Sequence, residues 1–221
     1  MFGGKLTTSD RLFVKICGIT TELDALAAIE AGADALGFNL VGKSKRYIDI
    51  EKASDWIGKL PSSVCKVAIL LDPTWEEAWR IARLPLIDAL QLHGNESPEF
   101  CRRLSQAGIR FAKAVPVEDS NSLANVPDFS TDTLILDSSS GGEFGGTGRV
   151  FPWKLARDFV LDHPNLNIVL AGGLNPENVA EAVNAVGPRG VDVTSGVEAA
   201  PGRKDHRLVK AFVKAARRLG A

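Results

Sequence analysis

A thiol and a carboxylate stand at the ends of two predicted strands that are far apart in the chain. Cys17 comes near the end of residues 14–18 (VKICG), and Asp137 near the end of residues 134–138 (LILDS). Because side chains alternate across a strand, Cys17 shares a face with Lys15 and is the last residue on that face before a loop. A thiolate can remove a proton and a carboxylic acid can donate one, so the two residues are candidates for paired base and acid catalysis.

Both residues also have a plain structural interpretation. Cysteine is often a small buried apolar residue, and an aspartate after a strand often caps the next loop. A thiol needs nearby positive charge to work as a base, and Lys15 could supply it unless a carboxylate such as Asp192 neutralises that lysine. A carboxyl group needs partial desolvation to donate a proton near neutral pH, and the glycine-rich residues 138–148 could close over it or form only a surface loop.

Glycine-rich runs follow two later predicted strands, at residues 171–175 (AGGLN) and 193–198 (VTSGVE). Glycines let backbone N–H groups approach an anion closely, and a helix N-terminus adds positive potential. Neither run has the Gly-Lys-Ser/Thr of a nucleotide-binding loop, so they predict a site for a phosphate monoester. The residues predicted to bind the ligand there are Gly172, Gly173, Ser195 and Gly196.

Arg46 and His93 are further candidates for ligand binding. Arg46 follows the second predicted strand within residues 43–47 (KSKRY), and a guanidinium at a pocket rim can hold a carboxylate through two parallel hydrogen bonds. His93 shares a strand face with Gln91 in residues 90–94 (LQLHG). We expect His93 to support the site rather than to catalyse, either by lining the pocket mouth or by hydrogen-bonding a backbone group.

Short apolar, β-branched runs recur eight times, and each precedes a segment with helical periodicity. The predicted strands are residues 12–17, 34–39, 66–71, 88–92, 110–115, 133–137, 167–171 and 190–194. The predicted helices include residues 21–30, 74–83, 97–106, 176–186 and 204–219. Alternating strands and helices require a parallel sheet, and eight such units in 221 residues fit a closed (β/α)8 TIM barrel in a single domain.

The rival architecture is an open, doubly wound sheet. The Gly-x-Gly-x-x-Gly turn that such sheets carry after their first strand is absent, since residues 17–20 read CGIT. We therefore predict one barrel domain over residues 11–221, preceded by a frayed N-terminal extension at residues 1–10. Loops at the carboxyl ends of the strands form the active site of TIM barrels, so the candidate residues should converge there.

Composition excludes several classes of function. The formal net charge is −1 and the basic residues are scattered, so no nucleic-acid partner is expected. No apolar run approaches the roughly 20 residues that span a bilayer, and residues 1–12 lack the apolar centre of a signal peptide, so no membrane partner is expected. Cys17, Cys65 and Cys101 are widely spaced, which predicts free thiols, a cytoplasmic location and no metal site. The sequence specifies no oligomeric state.

Six short runs together resemble the phosphoribosylanthranilate isomerase family, and they occur in that family's order from about residue 11 to the C-terminus. The runs are residues 14–20 (VKICGIT), 43–47 (KSKRY), 91–94 (QLHG), 145–148 (GGTG), 172–178 (GGLNPEN) and 195–198 (SGVE). The resemblance implies a (β/α)8 barrel without metal or organic cofactor. It also implies the conversion of N-(5-phosphoribosyl)anthranilate to 1-(2-carboxyphenylamino)-1-deoxyribulose 5-phosphate, an Amadori rearrangement in tryptophan biosynthesis.

The same resemblance implies roles for single residues. Asp137 would be the general acid that protonates the furanose ring oxygen, and Cys17 the general base that removes the C2 proton. Arg46 would face the anthranilate carboxylate. The loops that contain Gly172 and Ser195 would hold the sugar phosphate.

Two alternatives stay open at this point. Lys15 could be the Schiff-base nucleophile of an aldolase that acts on another sugar phosphate. The chain could instead be a barrel without catalysis that binds a phosphorylated metabolite. The presence of both Cys17 and Asp137 argues against the second alternative, because a binding protein needs neither.

Overall fold

The chain folds into a closed barrel of eight parallel strands. The computed structural model describes residues 11–117, 119–124, 126, 128–138 and 153–217. The strands are β1 (Phe13–Cys17), β2 (Ala35–Asn39), β3 (Cys65–Leu70), β4 (Ala89–Leu92), β5 (Phe111–Pro116), β6 (Thr133–Asp137), β7 (Asn167–Leu170) and β8 (Gly190–Val193). They pair in chain order, and β1 closes the sheet by pairing with β8. This closure confirms the predicted TIM barrel and excludes the open sheet.

Helices alternate with the strands. Within the described residues they are α1 (Glu22–Ala31), α2 (Ser54–Ile57), α3 (Trp75–Ala82), α4 (Pro98–Gln106), α5 (Ser120–Ala124), α6 (Trp153–Asp162), α7 (Val179–Val186) and α8 (His206–Arg217). α2, α5 and α6 are not among the helices predicted from the sequence. The first two of these are only four and five residues long, which is too short for a clear apolar period.

Three helices begin at the positions predicted from the sequence, and each has a hydroxyl side chain as its N-cap. Thr21 accepts a hydrogen bond from the backbone N–H of Asp24 at 3.2 Å, which caps α1. Thr74 caps α3 and Ser97 caps α4 in the same way, each by accepting from the N–H three residues later. Such caps satisfy backbone donors that have no partner within the helix, so these starts are encoded locally.

Two predicted helix starts differ from the structure. The helix predicted from Pro176 begins at Val179, because the Asn175 side chain accepts from the N–H groups of Glu177 and Asn178 and forms a turn first. The helix predicted from residue 204 begins at His206. Residues 203–204 instead form strand β10 (Arg203–Lys204), which pairs antiparallel with β9 (Glu198–Ala200). The two short strands follow β8 at the carboxyl end of the barrel.

The core has two layers, one inside the barrel and one between the barrel and the helices. The inner layer is made of small or β-branched side chains, namely Ala35, Val67, Ala89, Ala112, Ala114, Ile135, Val169 and Ala171. The outer layer holds the larger apolar side chains of the strands and the buried faces of the helices. Alternation along each strand therefore decides which residues reach the barrel interior and which face the helices.

None of the helices in the described ranges is long and apolar enough to cross a membrane. The predicted N-terminal extension at residues 1–10 lies outside the described residues. Residues 139–148 of the predicted closing loop, with the run GGTG, also lie outside them. The start of the domain at residue 11 and the closing role of that loop stay predictions.

Candidate active site

A cavity of about 250 Å³ opens at the carboxyl ends of the strands. It brings together seven of the eight predicted site residues: Cys17, Arg46, His93, Asp137, Gly172, Gly173 and Ser195. Cys17 ends β1 and Asp137 ends β6, so each is the last barrel residue before its loop. The thiol and the carboxylate that are far apart in the sequence therefore face one space.

The eighth predicted residue, Gly196, does not line the cavity. A side chain at Gly196 would collide with the carbonyl group of Leu174, so the glycine allows the loops after β7 and β8 to pack together. Gly172 has a left-handed backbone (φ +78°), and a side chain there would collide with the backbone N–H of Ser138. Gly196 therefore shapes the predicted phosphate loops from behind the cavity wall.

Cys17 lies against the buried side chain of Lys15. Lys15 Nζ is 2.8 Å from Asp192 Oδ2, which confirms the expected pairing of this lysine with Asp192. Gly37 lies beside both side chains, and its lack of a side chain leaves room for them. A Cβ atom at Gly37 would be only 2.8 Å from Cys17 Sγ and 3.0 Å from Lys15 Nζ. Burial lowers the pKa of Lys15, but the charges of Asp192 and Cys17 raise it by more, and the lysine stays protonated.

Two more cations interact with Cys17 through their charges, Arg46 and Lys204. Positive charge beside a thiol stabilises its thiolate form, which is the form that can accept a proton. Lys204 is not among the predicted site residues, because the pattern of residues 204–219 predicts a helix. Its side chain is buried, and burial lowers the pKa of Lys204 despite its contact with Glu198.

Arg46 already holds a carboxylate of the protein itself. Its Nε and Nη2 atoms donate to the two oxygens of Glu198 at 2.9 and 2.8 Å. Lys204 Nζ donates to the same carboxylate at 3.1 Å. The two parallel hydrogen bonds that the sequence analysis assigned to a ligand are thus made to Glu198, and a ligand carboxylate would meet the remaining Nη1 edge of Arg46.

Glu198 is not among the predicted site residues, although it belongs to the glycine-rich run at residues 193–198. Burial raises the pKa of the Glu198 carboxyl, but the hydrogen bonds and charges of Arg46 and Lys204 lower it by more, so the net pKa is below its ordinary value. The hydrogen bond to Glu198 also raises the pKa of Arg46. The side chain of Glu198 therefore stays ionised and orients Arg46 toward the cavity.

Asp137 contacts His93, which contacts Gln91. His93 Nε2 is 3.2 Å from Asp137 Oδ2, and Gln91 Nε2 is 3.2 Å from His93 Nδ1. With Gln91 donating to Nδ1, the other ring nitrogen of His93 carries the hydrogen and donates it to Asp137. His93 is thus in a position to orient the carboxyl group of Asp137.

Two buried oxygens of the cavity residues have no hydrogen-bond partner in the described part of the chain. They are Gln91 Oε1 and Asp192 Oδ1. Leaving a buried acceptor unpaired costs about 1–3 kcal/mol, a cost that a bound ligand can remove by donating a hydrogen bond. Both residues line the cavity, so it suits a ligand with hydroxyl groups, such as a sugar. Over the described ranges no cluster of three or more metal-binding side chains occurs.

Comparisons with known proteins show the family of this chain. A family model described as N-(5'-phosphoribosyl)anthranilate (PRA) isomerase matches residues 14–215. An N-(5'-phosphoribosyl)anthranilate isomerase from Geobacter sp. is 47% identical over 206 residues, which cover 93% of this chain and 98% of the relative. The same enzyme name is given to a relative from Rubrobacter xylanophilus that is 42% identical over 205 residues, 92% of this chain and 98% of that one.

Solved structures of the same enzyme are also similar to this chain. The phosphoribosyl anthranilate isomerase of Thermotoga maritima superposes with a TM-score of 0.84 at 40% identity, covering 93% of this chain and 98% of that chain. A second structure is of a phosphoribosyl anthranilate isomerase in complex with reduced 1-(o-carboxyphenylamino)-1-deoxyribulose 5-phosphate. It superposes with a TM-score of 0.81 at 39% identity, with the same two coverages.

Proposed function

The chain belongs to the N-(5'-phosphoribosyl)anthranilate isomerase family, and we propose that Cys17 and Asp137 are the general base and the general acid of its reaction. The protein is an isomerase of tryptophan biosynthesis that rearranges N-(5'-phosphoribosyl)anthranilate to the 1-deoxyribulose phosphate. One observation carries the assignment of the two residues. They end β1 and β6 and line the same cavity, which offers partners for a sugar.

Asp137 acts in the first step of the proposed mechanism. Its carboxyl group gives a proton to the furanose ring oxygen, the bond from C1 to that oxygen breaks, and the anilino nitrogen supplies the electron pair that forms a Schiff base. The hydrogen bond from His93 Nε2 aims the carboxyl group and fixes which oxygen faces the cavity. Asp137 is 7% exposed, so the pocket desolvates it further once a substrate covers it.

Cys17 acts in the second step. Its thiolate removes the proton from C2, and the electrons of the C2–H bond form the C1=C2 double bond of an enolamine. The enolamine then loses the hydroxyl proton at O2 and gains a proton at C1, which yields the ketone. The Lys15 ammonium group contacts Cys17, so the proposed base has a positive charge beside it.

The remaining cavity residues hold the two ends of the substrate. Arg46 lines the cavity, and its Nη1 edge would bind the anthranilate carboxylate. Gly172, Gly173 and Ser195 lie at the loops after β7 and β8, the usual phosphate site of a TIM barrel. The relative that holds reduced 1-(o-carboxyphenylamino)-1-deoxyribulose 5-phosphate supports binding of a ligand with the same two ends.

The alternative of a Schiff-base aldolase has a specific observation against it. A lysine nucleophile must be neutral, whereas Lys15 is fully buried, is paired with Asp192, and has a raised pKa.

A reducing compartment suits the proposed mechanism, because the thiol of Cys17 must stay free to act. Cys17, Cys65 and Cys101 are all free cysteines, which supports a cytoplasmic location.

The purified protein should be mixed with N-(5'-phosphoribosyl)anthranilate while the aminobenzoate fluorescence is followed. We expect the fluorescence to fall at a rate proportional to the enzyme concentration. A Cys101→Ala variant is the matched control, because it removes a buried thiol that does not line the cavity. A fluorescence that stays constant with folded wild-type protein would overturn the proposed function.

A further inference from the structure

A buried ion pair lies outside the cavity, next to the loop that carries His93. Lys113 Nζ is 3.0 Å from Glu96 Oε2, and the two side chains are 4% and 2% exposed. Lys113 is on β5 between Ala112 and Ala114, which face the barrel interior, so Lys113 faces the layer between the barrel and the helices. Neither charged residue lines the cavity, and the mechanism above uses neither.

Both charges are fully engaged. The Lys113 ammonium group donates to the carbonyl oxygens of Gly94 and Ala114, each at 2.8 Å, and forms the ion pair with Glu96. The Glu96 carboxylate also accepts from the backbone N–H of Gly94 at 3.0 and 3.1 Å and from that of Asp72 at 3.0 Å. Burial of two charges is tolerated only with this degree of pairing.

Both backbone polar groups of Gly94, its N–H and its carbonyl oxygen, are therefore fixed by hydrogen bonds. Glu96 accepts from its N–H and Lys113 donates to its carbonyl oxygen. The neighbouring backbone N–H of His93 donates to the Leu70 carbonyl at 2.9 Å. These contacts tie the loop after β4 to the end of β3 and to the Lys113 side chain of β5, and they pair backbone groups that lie beyond the last residue of β4.

The fixed backbone determines where the His93 ring lies. His93 directly precedes Gly94, and its Nε2 atom is 3.2 Å from Asp137 Oδ2. A shift of a few tenths of an ångström in this loop would lengthen that contact, and misplacing a catalytic group by about 1 Å can cost about a hundredfold in rate. The ion pair is thus linked to the acid by one backbone segment and one imidazole ring.

We infer that Glu96 and Lys113 are positioning residues that hold His93 Nε2 against the Asp137 carboxyl group and thereby set the rate of ring opening. The inference rests on the proposed role of Asp137 as the general acid. Neither residue of the pair touches the substrate. Their effect passes through His93, and this predicts how substitutions combine.

The test is a double-mutant cycle between Glu96→Gln and His93→Ala, with kcat and KM measured for each protein. We expect Glu96→Gln to lower kcat by about tenfold or more while KM stays within about threefold, because positioning of the acid matters in the transition state. The double variant should be no more than about threefold slower than His93→Ala alone, since both changes remove the same function. Losses that multiply, or a Glu96→Gln enzyme with wild-type kcat, would overturn the inference.

Glu96→Asp guards against a variant that does not fold. It keeps the charge and shortens the side chain by one methylene group, so it should retain the fold and still lower kcat through a displaced Gly94. The ring nitrogens of His93 can be followed by ¹⁵N NMR in the same protein, and their signals should shift. Unchanged His93 signals together with a lowered kcat would count against the inference.

A second ion pair, in which Lys66 is buried and the Asp88 side chain is 40% exposed, provides the control. Lys66 Nζ is 2.9 Å from Asp88 Oδ2, and the Lys66 side chain is 8% exposed. Lys66→Met should lower Tm without changing kcat, because the Lys66 side chain bonds to Asp88 and to the Val64 carbonyl, and neither Lys66 nor Asp88 lines the cavity.

Asp137→Asn separates the two proposals. If that variant keeps wild-type turnover, the proposed role of Asp137 as the general acid fails, whereas an inactive Asp137→Asn together with multiplying Glu96 and His93 effects refutes only the positioning role.

Discussion

Lys15 Nζ lies 2.8 Å from Asp192 Oδ2, and the same ammonium group contacts the thiol of Cys17. The residues of the ion pair are 177 positions apart in sequence and adjacent in space because β1 pairs with β8. Lys15 is therefore a charged group beneath the proposed base, and it is not available as a nucleophile. The barrel closure creates the electrostatic setting of the reaction.

This setting can be tested by removing its charges in a balanced way. Lys15→Met combined with Asp192→Asn leaves no unpaired buried charge, so the protein should fold. We expect kcat to fall by about tenfold or more relative to the wild type, because Cys17 loses the ammonium group that contacts it. Wild-type turnover in the double variant would show that Lys15 does not assist the thiol.

Substitutions of the catalytic pair should remove turnover and spare binding. Cys17→Ala and Asp137→Asn each delete a proton-transfer group, and such groups contribute about 10²–10⁴-fold to the rate. Reduced 1-(2-carboxyphenylamino)-1-deoxyribulose 5-phosphate should still bind to both variants in calorimetry. Near wild-type kcat in either variant would contradict its assigned role.

Alkylation should distinguish Cys17 from the other two thiols. Burial raises the pKa of Cys65 to about 12 and that of Cys101 to about 11, so both remain protonated and unreactive at pH 8. Iodoacetamide should therefore label Cys17 first and abolish activity, and bound product analogue should slow the labelling. Peptide mass spectrometry identifies the site, and a Cys17→Ala enzyme is the control that should show no rapid label.

Removing Glu198 should weaken substrate binding more than it slows the chemical steps. Without the carboxylate, Arg46 loses the partner that orients its guanidinium, so Glu198→Gln should raise KM several-fold and change kcat less. Lys204→Met, which leaves the contacts between Arg46 and Glu198 in place, is the comparison. A Glu198→Gln enzyme with unchanged KM would exclude an orienting role.

The same carboxylate predicts a dependence of stability on pH. The pKa of Glu198 in the folded state is below its ordinary value of 4.5, so its contribution to stability is present above about pH 4.5 and is lost as pH falls through the lower folded value. Thermal melts of the wild type should therefore lose Tm in that acidic range. Glu198→Gln should start from a lower Tm at neutral pH and lose less of it on acidification.

Much of the architecture follows from local patterns along the chain. Alternation of side chains marks the eight strands, and threonine or serine caps mark the starts of α1, α3 and α4. Cys17 and Asp137 were identifiable because each closes a β-branched or apolar run before a loop. These features depend on residues within a few positions of one another, so one sequence is enough to predict them.

The partners of the site residues were decided by the tertiary structure. Arg46 and Glu198 are 152 positions apart, and Gly94 is held by Lys113 from the next strand. A sequence shows that an arginine or a buried lysine occurs, but the loops that meet at the barrel end determine which carboxylate it pairs with. Because a charge in a buried layer must be matched by a group within hydrogen-bonding distance, only the closed barrel specifies these contacts.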